Sequence, residues 1–102
     1  MYIVANRVPV AEGWEESFEA RFRQRAGQVE KSNGFVSMQI LKPDSPETPY
    51  VVMTTWRDRA AFDAWVGSPD FRAAHANPLP KEAFRGEGRI EQFEVIISAT
   101  AD

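Results

Sequence analysis

His75 is the only histidine in a chain of 102 residues, and it stands ten residues after Trp65 in the segment AFDAWVGSPDFRAAH, residues 61–75. An imidazole can ligate a metal or carry a proton near neutral pH. It cannot build a zinc site alone, and the chain offers no second histidine and no cysteine. A serine-type triad is equally unsupported, because no serine sits in a nucleophile-elbow motif and His75 has no evident acidic orienter. What one histidine supplies unaided is the axial ligand of a heme iron, since the porphyrin already provides four nitrogens. The plainer reading is a helix-terminal histidine with no ligand, favoured by the negative end of the helix dipole. Spacing alone leaves both open.

Two neighbours bear on that choice. Phe71 lies one helical turn before His75 on the same face. Ala73 and Ala74 are small, so a flat macrocycle can approach this stretch closely. Trp65 reads equally well as core, two turns into an amphipathic helix. The third residue of interest is Asn6. Alternation along YIVANRV, residues 2–8, places Tyr2, Val4, Asn6 and Val8 on one face of a strand. A carboxamide on that apolar face is either satisfied by backbone or turned into a pocket.

The elements that must position these residues follow from periodicity. After the first strand, Trp14, Phe18, Phe22, Ala26 and Val29 form one stripe, which predicts a helix from about Glu12 to Ser32. Glu12, Glu15 and Glu16 suit its start, and SNG, ending at Gly34, supplies a left-handed cap. FVSMQIL, residues 35–41, and YVVMTTW, residues 50–56, are strands separated by the proline-punctuated KPDSPETP. Asp58 caps a helix through Ala61, Phe62, Trp65 and Val66, and Ser68 with Pro69 starts a short one ending at His75. After NPLPKEAFRGEG, residues 89–99 read as the last strand.

The order is β-α-β-β-α-β in a single domain spanning residues 1–102. This predicts a ferredoxin-like α+β fold, an antiparallel sheet with helices on one face. Its strands are apolar on both faces. Val36, Met38 and Ile40 oppose Phe35 and Leu41, Val51 and Met53 oppose Tyr50, Val52 and Trp56, and Phe93, Val95 and Ile97 oppose Ile90 and Ile96. A second copy is the simplest cover for the face that the helices leave open, so a homodimer packed sheet to sheet is expected.

Composition narrows the function classes. A net charge of −3 argues against nucleic-acid binding, which needs a basic face. No sustained apolar stretch suggests a membrane role, and MYIVANRVPV lacks the cationic region and long apolar run of a signal peptide. With no cysteine, disulfides, thiolate nucleophiles and iron–sulfur clusters are excluded, and a cytoplasmic location is expected.

Taken together, these segments resemble the IsdG-type heme-degrading monooxygenases of the antibiotic biosynthesis monooxygenase superfamily. The resemblance is carried by ANRV at 5–8, VEKSNGF at 29–35, TTWRDRAAFDAWVGSPDFRAAH at 54–75 and FEVI at 93–96. It implies a catalytic set of Asn6, Trp65 and His75 on a dimeric α+β barrel, with heme between sheet and helices. Heme would be both substrate and prosthetic group. His75 would ligate the iron, Trp65 would press on the macrocycle, and Asn6 would donate a hydrogen bond on the side where dioxygen binds. Phe22 and Phe71 are expected to face the macrocycle. Arg7, Arg25, Arg72 and Arg85 are the cations at hand for its propionates, each also readable as surface charge. Electrons would come from an external donor, an unidentified reductase, because no flavin or nicotinamide fingerprint is present. Two other readings stay open on this scaffold: a cofactor-independent oxygenase of polycyclic aromatic or quinol substrates, and a non-catalytic dimer that binds heme or another flat ligand.

Overall fold

A computed structural model describes residues 1–24 and 28–101 of the chain. Four strands, β1 (Tyr2–Val8), β2 (Phe35–Leu41), β3 (Tyr50–Trp56) and β4 (Arg89–Glu94), form one antiparallel sheet in the order β2-β3-β1-β4. Three helices complete the fold: α1 (Glu15–Arg23), α2 (Arg59–Val66) and α3 (Pro69–Ala74). This is the ferredoxin-like α+β arrangement that the order of elements predicts.

Three elements differ from expectation. The first helix is shorter than Glu12–Ser32: it ends at Arg23, and Val29–Lys31 form a separate 3-10 turn. Gln28 opens that turn with φ 36°, a left-handed conformation that re-aims the chain. Val29 therefore leaves the stripe of Phe18 and packs beside Trp56 instead. Ala26 of that stripe, like Arg25, lies outside the described residues.

In β2 the pairing register shifts between Phe35 and Ser37, a bulge at Val36. The bulge puts Phe35 on the same side as Met38 and Ile40 and leaves Val36 46% exposed, so strict alternation fails there. The last strand stops at Glu94 rather than Ala99. Glu94 pairs with Tyr2, the first residue of β1, and beyond it Val95 donates its N–H to the Met1 carbonyl.

Gly34 does the job that its place in SNG suggests. Its φ is +82°, and a Cβ there would stand 2.5 Å from the Ala61 Cβ of α2. Both the turn and the close approach of α2 to the sheet require glycine.

The helix-facing side of the sheet holds two apolar clusters rather than one. In the first, α2 packs Ala61 and Trp65 on Val4 and Trp56, joined by Val29 and flanked by Tyr2, Phe35, Met38 and Phe71 of α3. In the second, α1 packs Phe18 on Tyr50 and Val10, flanked by Val8, Phe22, Ile40, Val52 and Leu79. A seam crosses the sheet between them. The opposite side carries Ile3, Ala5, Val51, Met53, Leu41 and Phe93, interrupted by the Arg7–Glu91 ion pair at 2.6 Å. No helix among the described residues is long and apolar enough to cross a membrane.

Candidate functional site

Trp65, Phe71 and His75 are brought together by one local device. Asp58 accepts from the Ala61 N–H at 2.9 Å and starts α2. At its end, the Ser68 hydroxyl donates to the Trp65 carbonyl at 2.6 Å and accepts from the Phe71 N–H at 3.1 Å. One serine side chain thus ends α2, caps α3 and links two site residues. The rings then stack outward from the core. Trp56 lies 6.5 Å from Trp65, Trp65 5.8 Å from Phe71 edge-on, and Phe71 4.1 Å from His75.

His75 closes this series at the C-terminal end of α3. Its Nδ1 lies 2.8 Å from the Phe71 carbonyl oxygen. A carbonyl only accepts, so Nδ1 carries a proton, and in the neutral imidazole Nε2 is the nitrogen left with a lone pair. A backbone carbonyl on one nitrogen is the usual way to hold a metal-ligating imidazole in the correct tautomer. The Phe71 stack restrains the ring further, contributing roughly 0.5–1.5 kcal/mol. The ring is exposed. It stands at a rim, because α3 is one short helix with no buried residue.

Trp65 is 8% exposed and packed on Trp56. Its indole N–H takes no hydrogen bond among the described residues, yet no buried side-chain polar atom is left unsatisfied, so that edge reaches open space. Asn6 lies on the seam. Val4, two residues before it, belongs to the first cluster, while Val8, two residues after it, and Val52, the cross-strand partner of Asn6, flank the second. Its carboxamide makes no hydrogen bond among the described residues, which disposes of the backbone-satisfied reading. Its other neighbour, Ile90 on β4, is 61% exposed although it faces the helix side, so the seam is uncovered at that end.

At the β2 end the seam widens into a cavity of about 810 Å³. Its wall includes Phe22, Met38 and Ile40, one side chain from the first cluster's flank and two from the second's. Phe22 is the one expected site residue on this wall; Asn6, Trp65, Phe71 and His75 are not part of it. Met38 and Ile40 are legible as one face of FVSMQIL. The polar rim of Glu19, Arg23 and Lys42 is not, because it joins α1 to the end of β2 through space.

Glu19 organises that rim. It accepts from the buried Tyr50 hydroxyl and pairs with Lys42 at 3.1 Å and Arg23 at 3.3 Å. The Tyr50 hydrogen bond, with Lys42 behind it, holds the Glu19 carboxyl below its ordinary value. Burial, then Glu19, pushes the Tyr50 phenol up to about 12.

The arginines first considered for anionic groups are placed otherwise. Arg7 lies on the far side of the sheet with Glu91. Arg85 straps loops together through the Val10 and Thr48 carbonyls. Arg72 is exposed on α3. Arg25 lies outside the described residues.

Among the described residues no three His, Cys, Asp or Glu side chains gather around one point as a bare metal ion requires. A metal carried in a macrocycle needs one ligand, and Nε2 of His75 is available. An apolar seam that opens on a cavity of about 810 Å³, an imidazole nitrogen clear of protein partners and an uncommitted carboxamide suit such a group.

Comparison with known proteins shows what the whole chain is similar to. A heme oxygenase (mycobilin-producing) of Mycobacterium tuberculosis is 38% identical over 92 residues, 90% of this chain and 86% of that protein. A heme oxygenase (staphylobilin-producing) of Staphylococcus haemolyticus is 33% identical over 79 residues, 76% of this chain and 75% of that protein. The heme-degrader MhuD of M. tuberculosis, solved with two hemes bound in its active site, superposes with a TM-score of 0.80. It shares 33% sequence identity, and the match covers 98% of this chain and 100% of that one. The antibiotic biosynthesis monooxygenase family matches residues 1–77, and the chain belongs to it.

Proposed function

We propose that this protein is a heme-degrading monooxygenase that opens the heme macrocycle with dioxygen and releases the iron. Its relatives among the heme oxygenases support the activity, and one observation carries it to this chain: the tie from Nδ1 of His75 to the Phe71 carbonyl leaves Nε2 free to ligate iron.

Heme, when bound, supplies both the iron at which dioxygen is activated and the macrocycle that is opened. The residues of the chain do the rest. His75 holds the iron through Nε2, with its ring fixed by the Phe71 stack. Trp65, braced by Trp56, would set a rigid indole edge against the macrocycle. Asn6 donates its carboxamide N–H toward the oxygen-binding side. Phe22 and Phe71 line the macrocycle and exclude water. Distortion, axial ligation and distal polarity are the levers a protein has over such a group. The electrons come from an external donor. The working form is a homodimer closed through the apolar sheet faces into a barrel, and the setting is the cytoplasm.

A hemin titration tests the reading. Wild-type protein is expected to shift the Soret band, then to bleach and release iron once reductant and air are added. His75→Ala is expected to lose both. A Soret shift that survives reductant and air would make the protein a binder only. Oxidation of a quinol without heme, indifferent to His75→Ala, would make it a cofactor-free oxygenase.

A further inference from the structure

The cavity at the β2 end of the seam is apolar on one side and cationic at its edge, and the proposed chemistry gives the residues of that edge no role. Phe22, Met38 and Ile40 supply the wall. Arg23 and Lys42 line the same space with side chains 71% and 68% exposed, so their charged heads stand at its mouth. Both reach the same carboxylate: Arg23 bonds Oε1 of Glu19 and Lys42 bonds Oε2. Glu19 is only 20% exposed and is anchored from below by the Tyr50 hydroxyl. It therefore holds two cations side by side, one from α1 and one from the end of β2.

Those cations retain unused capacity. An ammonium has three N–H donors and a guanidinium five, and Glu19 takes one from each. The remaining donors lie beside an apolar wall. That combination recognises a flat apolar body with carboxylates on one edge.

We propose that Arg23 and Lys42 form a carboxylate-docking site at the mouth of this cavity, with Glu19 as the residue that positions them. The ligand class is a planar tetrapyrrole bearing propionates, so the proposal deepens the heme reading and rests on it. Its carboxylates would lie across the two cations while the macrocycle enters over Met38 and Ile40.

The test separates docking from iron ligation by using metal-free protoporphyrin IX and its dimethyl ester, followed by fluorescence. Without iron, His75 has nothing to ligate. Wild-type protein is expected to bind the diacid more tightly than the ester, by roughly three- to tenfold, as befits exposed charge pairs worth about 1 kcal/mol. This preference should shrink between low and high salt. The Arg23→Met, Lys42→Met double variant is expected to bind both forms as the wild type binds the ester, with an unchanged urea midpoint. Equal binding of diacid and ester by the wild type would overturn the proposal, as would a double variant that still prefers the diacid. A hemin Soret shift in either case would leave the heme reading intact. Failure of that reading shows instead as no Soret shift with hemin.

Discussion

At the scale of single residues the site consists of groups whose hydrogen-bonding capacity is deliberately unspent. Asn6 is the clearest case: a carboxamide on an apolar strand face, unbonded among the described residues, beside the exposed Ile90. If it donates only to groups that appear as oxygen is activated, Asn6→Ala should leave hemin affinity within about twofold while turnover falls between about ten- and a hundredfold, the worth of one hydrogen bond to a charged group. Stopped-flow binding set against single-turnover bleaching distinguishes the two, and equal losses in both would make Asn6 a plain binding residue. Tyr50 and Glu19 are the opposite case, spent on each other. The folded phenol is raised to about 12 from an ordinary 10.0, so the neutral form is favoured in the native state. Its contribution is complete below pH 10 and is lost as pH climbs toward 12. Glu19 is lowered, so its contribution is present above the ordinary 4.5 and is lost as pH falls below it. Urea midpoints across pH should therefore sag at both ends, and Tyr50→Phe should flatten the alkaline limb. A wild-type alkaline limb already as flat as that of Tyr50→Phe would contradict the pairing.

Among the elements, α3 is the most exposed to perturbation. It has six residues, none buried, and its start depends on Ser68. Ser68→Ala should cost about 1 kcal/mol of stability. It should also weaken hemin binding, because the same hydroxyl ties the Trp65 carbonyl to the Phe71 amide and so sets where His75 stands. Restored binding in Ser68→Thr, read from the Soret titration, would tie the effect to the cap; equal defects in both variants would count against it. Caps of this kind are local chemistry, which is why Asp58, Ser68 and Pro69 announced α2 and α3 from sequence, and why the bounds of β1, β2 and β3 were legible from pattern and turn residues. What sequence could not convey was decided by partners far away in the chain. The bulge at Val36 is a matter of pairing with β3. The bounds of β4 are those of its pairing with β1, from Arg7↔Arg89 to Tyr2↔Glu94. Val29 fitted the periodicity of α1 yet packs with Trp56, because a left-handed Gln28 intervenes. At the site, Trp65 was legible on one capped helix, and Phe71 and His75 on the short one that follows it. The Glu19–Tyr50–Lys42 rim was not, since nothing in three residues spread over 31 positions signals that they meet.

At the scale of the whole molecule, one layer of helices on one sheet makes a broad, thin body of 37 × 34 × 23 Å. A single covered face is stable in water only if the other is polar, and here it is not. Leu41 and Phe93 are 43% and 50% exposed on that side, and Ile96 and Ile97, beyond the last paired residue, are each 85% exposed. A face this wide can bury the roughly 800 Å² per partner of a standard interface, with sheets packing about 10 Å apart. Sheet-to-sheet dimerisation would cover Leu41, Phe93 and the isoleucines of both copies and leave the helix-side seams open on opposite outer surfaces. The wild type is thus expected to sediment at twice the 11.5 kDa chain mass at micromolar concentration. Phe93→Lys should shift it to the single mass, because a lysine there meets its own symmetry mate or an apolar surface across the interface. Phe93 is half exposed in one chain, so this change should leave the folded chain itself intact by circular dichroism. Wild-type protein that sediments as a monomer, or a Phe93→Lys variant that stays dimeric, would place the apolar face outside any contact between copies.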